Sequence, residues 1–134
     1  MLVYSSTKQE FIRHVQTDQV SDLIMDSLRQ QGRGGVSPNE VRSWRNSLQY
    51  MRNVLDDPHI PDDVGVALEF SIPQTSKRID VILTGLGRAP RKRPTALIVE
   101  LKQWESAAVT PMDGIVTTYL GGGVREVAHP SYQA

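Results

Sequence analysis

The sequence has no cysteine, which excludes disulfides and zinc–thiolate centres and points to a reducing, cytoplasmic setting. It has no net charge either: Lys plus Arg and Asp plus Glu each number 15. A general nucleic-acid coat would be strongly basic and is disfavoured. A local acidic cluster that needs metal ions, with a positive rim only along a groove, is not. No apolar run approaches the ~20 residues of a membrane span, so no membrane partner is expected. Met1 to Glu10 holds no apolar signal-peptide core. No Walker-type Gly-x-x-x-x-Gly-Lys is present, so no ATPase is expected in these residues. His14, His59 and His129 show no ligand spacing and suit surface or turn roles.

The residues that are present suit one globular domain. The length of 134 residues is enough for a real core, and 39% hydrophobic with 22% charged residues is an ordinary balance. Ser6-Thr7-Lys8-Gln9 reads as a capping box opening a short helix, with Phe11 and Val15 four apart on one face. Val20, Ile24 and Leu28 suggest a second helix, stopped at Gly32. Ser37-Pro38-Asn39-Glu40 is a stronger start: Ser37 suits the N-cap, Pro38 the first helical position and Glu40 the third. Val41, Trp44, Leu48, Met51 and Leu55 then form one apolar stripe, and the helix should end near Leu55.

From Val66 the period changes to two. Val66, Leu68, Phe70 and Ile72 alternate with Ala67, Glu69 and Ser71; Ile79, Val81 and Leu83 with Asp80, Ile82 and Thr84; Leu97, Val99 and Leu101 with Ile98, Glu100 and Lys102. Three strands follow. Between the second and third lies a short basic run, Arg88, Arg91, Lys92 and Arg93. Ile115 to Leu120, three glycines, then Val124 to Val127 reads as a hairpin.

In each of the three strands the uninterrupted apolar set occupies one face, and the other face receives Glu69, Asp80, Glu100 and Lys102. A four-residue connection over 73–76 pairs Ile72 with Lys77 and sets Glu69 directly opposite Asp80. Like charges in that position destabilise a sheet, and a divalent cation resolves the conflict because carboxylate oxygens are its preferred ligands. Asp80, Glu100 and Glu69 are thus candidate metal ligands. Lys102, two residues after Glu100, is a candidate to orient the attacking water or offset transition-state charge. Any one of these charges alone is ordinary for a solvent face. The set, with Glu-x-Lys inside an apolar strand, points to a half-buried site whose charge must be compensated. Glu40 has an occupation in its capping box, yet lies only ~60° from the centre of the apolar stripe and could add an acid. Trp44 and Trp104 suit packing better than base stacking. Arg91, Lys92 and Arg93, with Lys77 and Arg78 at the hairpin, are candidate nucleic-acid contacts.

The strings Ile72-Pro73-Gln74-Thr75-Ser76-Lys77-Arg78-Ile79-Asp80 and Ile98-Val99-Glu100-Leu101-Lys102-Gln103-Trp104 resemble the PD-(D/E)XK nuclease-like region. The version resembled precedes the ATPase in a bacterial family of DNA/RNA helicase-like proteins related to the Schlafen group. Val41-Arg42-Ser43-Trp44, Ile60-Pro61-Asp62-Asp63 and Val127-Ala128-His129-Pro130-Ser131-Tyr132-Gln133 extend the likeness over most of the chain. It implies an α/β (α+β) fold with a restriction-endonuclease-like core: a central mixed sheet containing a three-stranded antiparallel meander, flanked by helices. It also implies metal ligation by Asp80 and Glu100, catalysis by Lys102, a helix-borne acid at Glu40, and a motif glutamine at Gln133. Ile79 stands where the name motif has proline. The tyrosine of the Gln-x-x-x-Tyr motif has no counterpart before Ala134.

The expectation is therefore an N-terminal helical segment, 1–36, and a nuclease-like core, 37–134, lacking its last helix. The core would hydrolyse DNA, or RNA, with Mg²⁺ or Mn²⁺. A helicase or ATPase encoded downstream, or a second copy of the chain, would complete it. The alternative is a non-catalytic nucleic-acid-binding or docking module that accompanies such an ATPase; a remnant without activity of its own is a third.

Overall fold

A computed structural model describes residues 2–33, 35–74, 77–87 and 93–133, with Gln133 described by its backbone alone. The chain divides into two compact units, Met1–Val99 and Glu100–Ala134. The stretch 1–36 lies in the first of these together with the helix and strands that follow it, so the contacts divide the chain at 99/100 and not at 36/37.

The first unit opens with strand β1 (Tyr4–Thr7), which runs straight into helix α1 (Lys8–Gln16). The cap is Thr7 with Glu10, one residue later than the Ser6 start that the sequence suggests. Helix α2 (Val20–Gln30) buries Val20, Ile24 and Leu28 as its spacing implies. Helix α3 (Pro38–Leu55) has the expected Ser37–Glu40 capping box and buries Trp44, Leu48, Met51 and Leu55. Strands β2 (Gly65–Ser71), β3 (Arg78–Leu86) and β4 (Pro94–Val99) form the expected meander. With β1 on the far edge the sheet order is β1-β2-β3-β4, and every described pair is antiparallel. The mixed sheet expected from the resemblance is thus not found among the described residues, because the chain returns through the helices to set β2 antiparallel to β1. Val66 and Leu68, with Val81 opposite Leu68, are essentially fully buried and anchor the apolar face.

The entry into α1 is tied to the end of α3 by a buried lysine. Lys8 Nζ donates to the carbonyls of Asp57 and Ile60 at 3.1 and 2.5 Å and pairs with Asp62 at 3.1 Å. Replacing Lys8 with alanine leaves those carbonyls without their donor, and the expected loss is about 2–4 kcal/mol in urea unfolding. The buried Ser21 is the opposite case: its hydroxyl has no hydrogen-bond partner among the described residues. Ser21→Ala is expected to leave stability unchanged or raise it by up to ~1 kcal/mol in the same measurement.

Three carboxyls at chain reversals titrate below their ordinary range. Glu10 and Glu40 accept backbone and side-chain hydrogen bonds from Thr7 and Ser37, and Asp57 accepts both kinds from His59. These groups bind protons less readily folded than unfolded. The stability they confer is present above the ordinary carboxylate range and is lost as pH falls through their depressed folded values. The thermal midpoint should fall on acidification, and fall less in the Glu10→Gln/Glu40→Gln double variant.

The second unit is a three-stranded antiparallel sheet, order β5-β6-β7, followed by a short helix: β5 (Ala108–Val109), β6 (Ile115–Leu120), β7 (Gly123–Ala128) and α4 (Pro130–Gln133). Leu120 pairs with Gly123, so the hairpin turns on Gly121 and Gly122 alone, with φ of 58° and 85°. Two successive positive values define the turn that matches strand twist, and glycine supplies both freely. Gly114 is constrained differently: a Cβ there would lie 2.8 Å from the Tyr132 ring. Among the described residues no helix is long and apolar enough to cross a membrane.

Candidate functional site

The candidate residues form two clusters, one in each unit. In the first unit, the pairs Leu68↔Val81 and Phe70↔Ile79 flank Glu69 and Asp80. Ile72 N donates to Lys77 O at 3.1 Å and closes the hairpin. Glu69 therefore stands opposite Asp80, in the register that the alternation and the length of the connection imply. The ladder lapses at this one position. Glu69 has φ 53°, a left-handed conformation uncommon outside glycine.

Glu69 is not a solvent-face residue. Its side chain is only 12% exposed, Oε1 accepts from the Trp44 indole Nε1 at 2.9 Å, and Oε2 lies 2.9 Å from Arg78 Nη1. Among the described residues Oε2 receives no well-aligned hydrogen bond, so the Arg78 contact is an ion pair. By the register, Arg78 is the diagonal neighbour of Glu69, within reach of a long side chain. Burial raises the Glu69 carboxyl above its ordinary range. Arg78 and Trp44 oppose the shift, while the negative charges of Asp80 and Glu40 add to it. Asp80 is itself half-buried. Glu40 is exposed and occupied in the capping box: its Oε2 accepts from Ser37 N at 2.9 Å and Ser37 Oγ at 3.1 Å.

In the second unit, Glu100 and Lys102 form their own ion pair at 2.6 Å, with side chains 17% and 27% exposed. They do not lie in a strand. β4 ends at Val99, paired with Val81, whereas the alternation of side chains runs on through Lys102. Side-chain alternation says nothing about where backbone pairing stops, and here it stops where the second unit begins.

No protein-family model matches the chain, and neither does any curated protein or solved structure.

Among the described residues, no group of three or more His, Asp or Glu side chains is placed to hold a metal ion. Of the basic candidates, Lys77 closes the hairpin through its carbonyl, Arg78 pairs with Glu69, and Arg93 accepts from Gly87 N at 2.9 Å. Arg91 and Lys92, and the side chain of Gln133, lie outside the described residues. The histidines have local partners: His14 with Tyr4, His59 with Asp57, His129 with Ser131. A shallow depression of about 450 Å³ in the second unit is lined by Thr110, Met112, Asp113, His129 and Tyr132 among others. Its polar groups already serve one another, with Tyr132 Oη donating to Asp113 at 2.9 Å and Thr110 Oγ1 to Ile115 O at 2.8 Å. The joint hold of Trp44 and Arg78 on Glu69 does not follow from Trp44 as a packing residue and Arg78 as a nucleic-acid contact. The diagonal spacing of Glu69 and Arg78 was the available signal.

Proposed function

We propose that the chain is a Mg²⁺- or Mn²⁺-dependent nuclease of the PD-(D/E)XK type that hydrolyses phosphodiester bonds of nucleic acid, DNA rather than RNA. One observation carries the reading: the pairs Leu68↔Val81 and Phe70↔Ile79 bring Glu69 and Asp80 to facing positions of β2 and β3, and Glu69 has a left-handed backbone there. Opposed like charges destabilise a sheet, and a left-handed non-glycine residue costs about 1–3 kcal/mol. Two unfavourable features at one position are characteristic of a functional site.

Glu69 and Asp80 are both carboxylates, the ligand type that Mg²⁺ and Mn²⁺ take. Among the described residues Glu69 Oε2 is buried without a hydrogen bond, and the Arg78 guanidinium lies beside it. On this reading Glu69 and Asp80 are ligands of the cation, which when bound would neutralise charge on the scissile phosphate and activate water. Lys102, 2.6 Å from Glu100, is proposed to supply an ammonium to the hydrolysis. Glu40 fixes the start of the helix that carries Trp44, and its charge adds to the field at Glu69. The same reading carries the restriction-endonuclease-like core, with a helicase-type ATPase as companion.

A second reading, a non-catalytic nucleic-acid-binding or docking module, is favoured by the engagement of Glu69 with Trp44 and Arg78. End-labelled DNA and RNA incubated with the chain separate the two. Cleavage that needs Mg²⁺, stops with chelator and is lost in Asp80→Ala supports the nuclease. Binding that is indifferent to metal, without cleavage, replaces it with the module.

A further inference from the structure

We propose that strand β4 is an interface edge, along which two copies of the chain join into one continuous antiparallel sheet. The open side of β4 is fixed by the ladder on its other side. Gly87 N donates to Arg93 O at 2.9 Å. Bonded and non-bonded pairs alternate along an antiparallel ladder, so Gly85↔Thr95, Leu83↔Leu97 and Val81↔Val99 exchange the bonds with β3. Pro94, Ala96 and Ile98 therefore turn their backbone groups away from β3. Pro94 has no N–H to leave unmet there, which suits proline at the start of an edge strand. Among the described residues no strand takes up the N–H and carbonyl groups of Ala96 and Ile98.

Protein sheets guard their edges by shortness, charge or bulges. The other edge, β1, has the first of these: it is 4 residues long and runs straight into α1. β4 has none of them. Its 6 residues, Pro-Thr-Ala-Leu-Ile-Val, carry no charge and hold an unbroken register. Apolar side chains are exposed on both of its faces. Leu97 (57%) lies on the face of the buried Val81, and Ile98 (42%) with Leu86 (67%) on the other. A helix laid on one face would cover only part of this surface. A strand added to the edge covers both faces and takes the backbone groups as well.

The strand that fits is a second β4. With a two-fold axis at Leu97, Ala96 of each copy pairs with Ile98 of the other, and every outward N–H meets a carbonyl. Leu97 then faces its counterpart in a non-bonded pair, where side chains come closest. An axis at Ala96 would instead set Ile98 opposite Pro94, which has no N–H to give. Self-pairing brings no like charges together in β4. With 15 basic and 15 acidic residues, the two copies also carry no net charge to repel each other. Helices α1 and α2 pack on β1 and β2, at the far end of the sheet from the axis. The contact is the same patch on both copies, so it closes at a dimer.

The test is sedimentation equilibrium of the whole chain, joined to single cysteine substitutions that the lack of native cysteine makes unambiguous. The weight-average mass should rise with concentration towards twice the 15.0 kDa of one chain. Ala96→Pro removes an outward donor without touching a bond to β3, and should weaken the dimer about tenfold or more. Under diamide, Leu97→Cys should cross-link into a dimer, because its Cα atoms lie about 4.5 Å apart across the axis, within disulfide reach. Thr95→Cys should not, since its two copies are about 13 Å apart in that register. Circular dichroism checks that each variant is folded. Should Ala96→Pro fail to fold, Ile98→Lys replaces it with the same expectation, since it brings two ammonium groups to diagonal positions. A wild type that stays monomeric at the highest soluble concentration overturns the proposal and leaves the edge to a strand of another protein. A dimer that neither Ala96→Pro nor Ile98→Lys weakens overturns it too, as does cross-linking of Thr95→Cys as readily as Leu97→Cys. No readout depends on hydrolysis, so the outcome is separable from the nuclease reading.

Discussion

Lys102→Ala lowers the Mg²⁺-dependent cleavage rate by about 10²–10³-fold, the loss typical of removing one preorganised group that meets transition-state charge. The same change should not weaken cation binding, because an ammonium is no ligand. That split follows from the role proposed for the Lys102 ammonium, which is paired with Glu100 at 2.6 Å. Single-turnover cleavage gives the rate and calorimetry the affinity. Lys102→Arg restores little, since a planar guanidinium cannot take the place of a compact ammonium at a short contact. A Lys102→Ala chain that cleaves at the wild-type rate would leave Lys102 as no more than the surface partner of Glu100.

Trp44→Ala destabilises the first unit by about 3–5 kcal/mol, as expected for truncating a large buried aromatic side chain. Trp44→Phe costs less, about 1–3 kcal/mol, because it keeps most of the apolar volume and loses the hydrogen bond to Glu69 Oε1. With Trp44 conservatively replaced, Glu69 keeps its burial and its Asp80 and Glu40 neighbours but not the indole that favours its charged form. Urea unfolding followed by far-ultraviolet circular dichroism measures both variants. If Trp44→Phe is as stable as wild type, the indole bond does not hold Glu69.

Much of this arrangement is legible in the residue order. The α3 helix is marked at both ends, by Ser37-Pro38 with Glu40 and by the last apolar position at Leu55, since caps and periodicity are local. The opposition of Glu69 and Asp80 follows from alternation plus the length of one connection, both short-range quantities. Other features depend on distant parts of the chain. Tyr4–Thr7 is a strand only because β2 offers it an edge, and its own residues, Tyr-Ser-Ser-Thr, show no apolar alternation. Ser6 and Thr7 are equally good caps by type, and Glu10 rather than Gln9 decides between them. The left-handed φ of Glu69 leaves no trace in a residue type that ordinarily avoids it. The stop of β4 at Val99 is invisible because Glu100, Leu101 and Lys102 continue the pattern of a strand they do not join.

The central claim is that Asp80 belongs to a cation site. Electron paramagnetic resonance of free Mn²⁺, titrated into the wild-type chain and into Asp80→Asn, tests it most directly, because it reports binding without requiring turnover. Depletion of the free-ion signal by the wild type, and loss of most of that depletion in a folded Asp80→Asn chain, is the result predicted. Equal depletion by the two chains, or none by either, contradicts it.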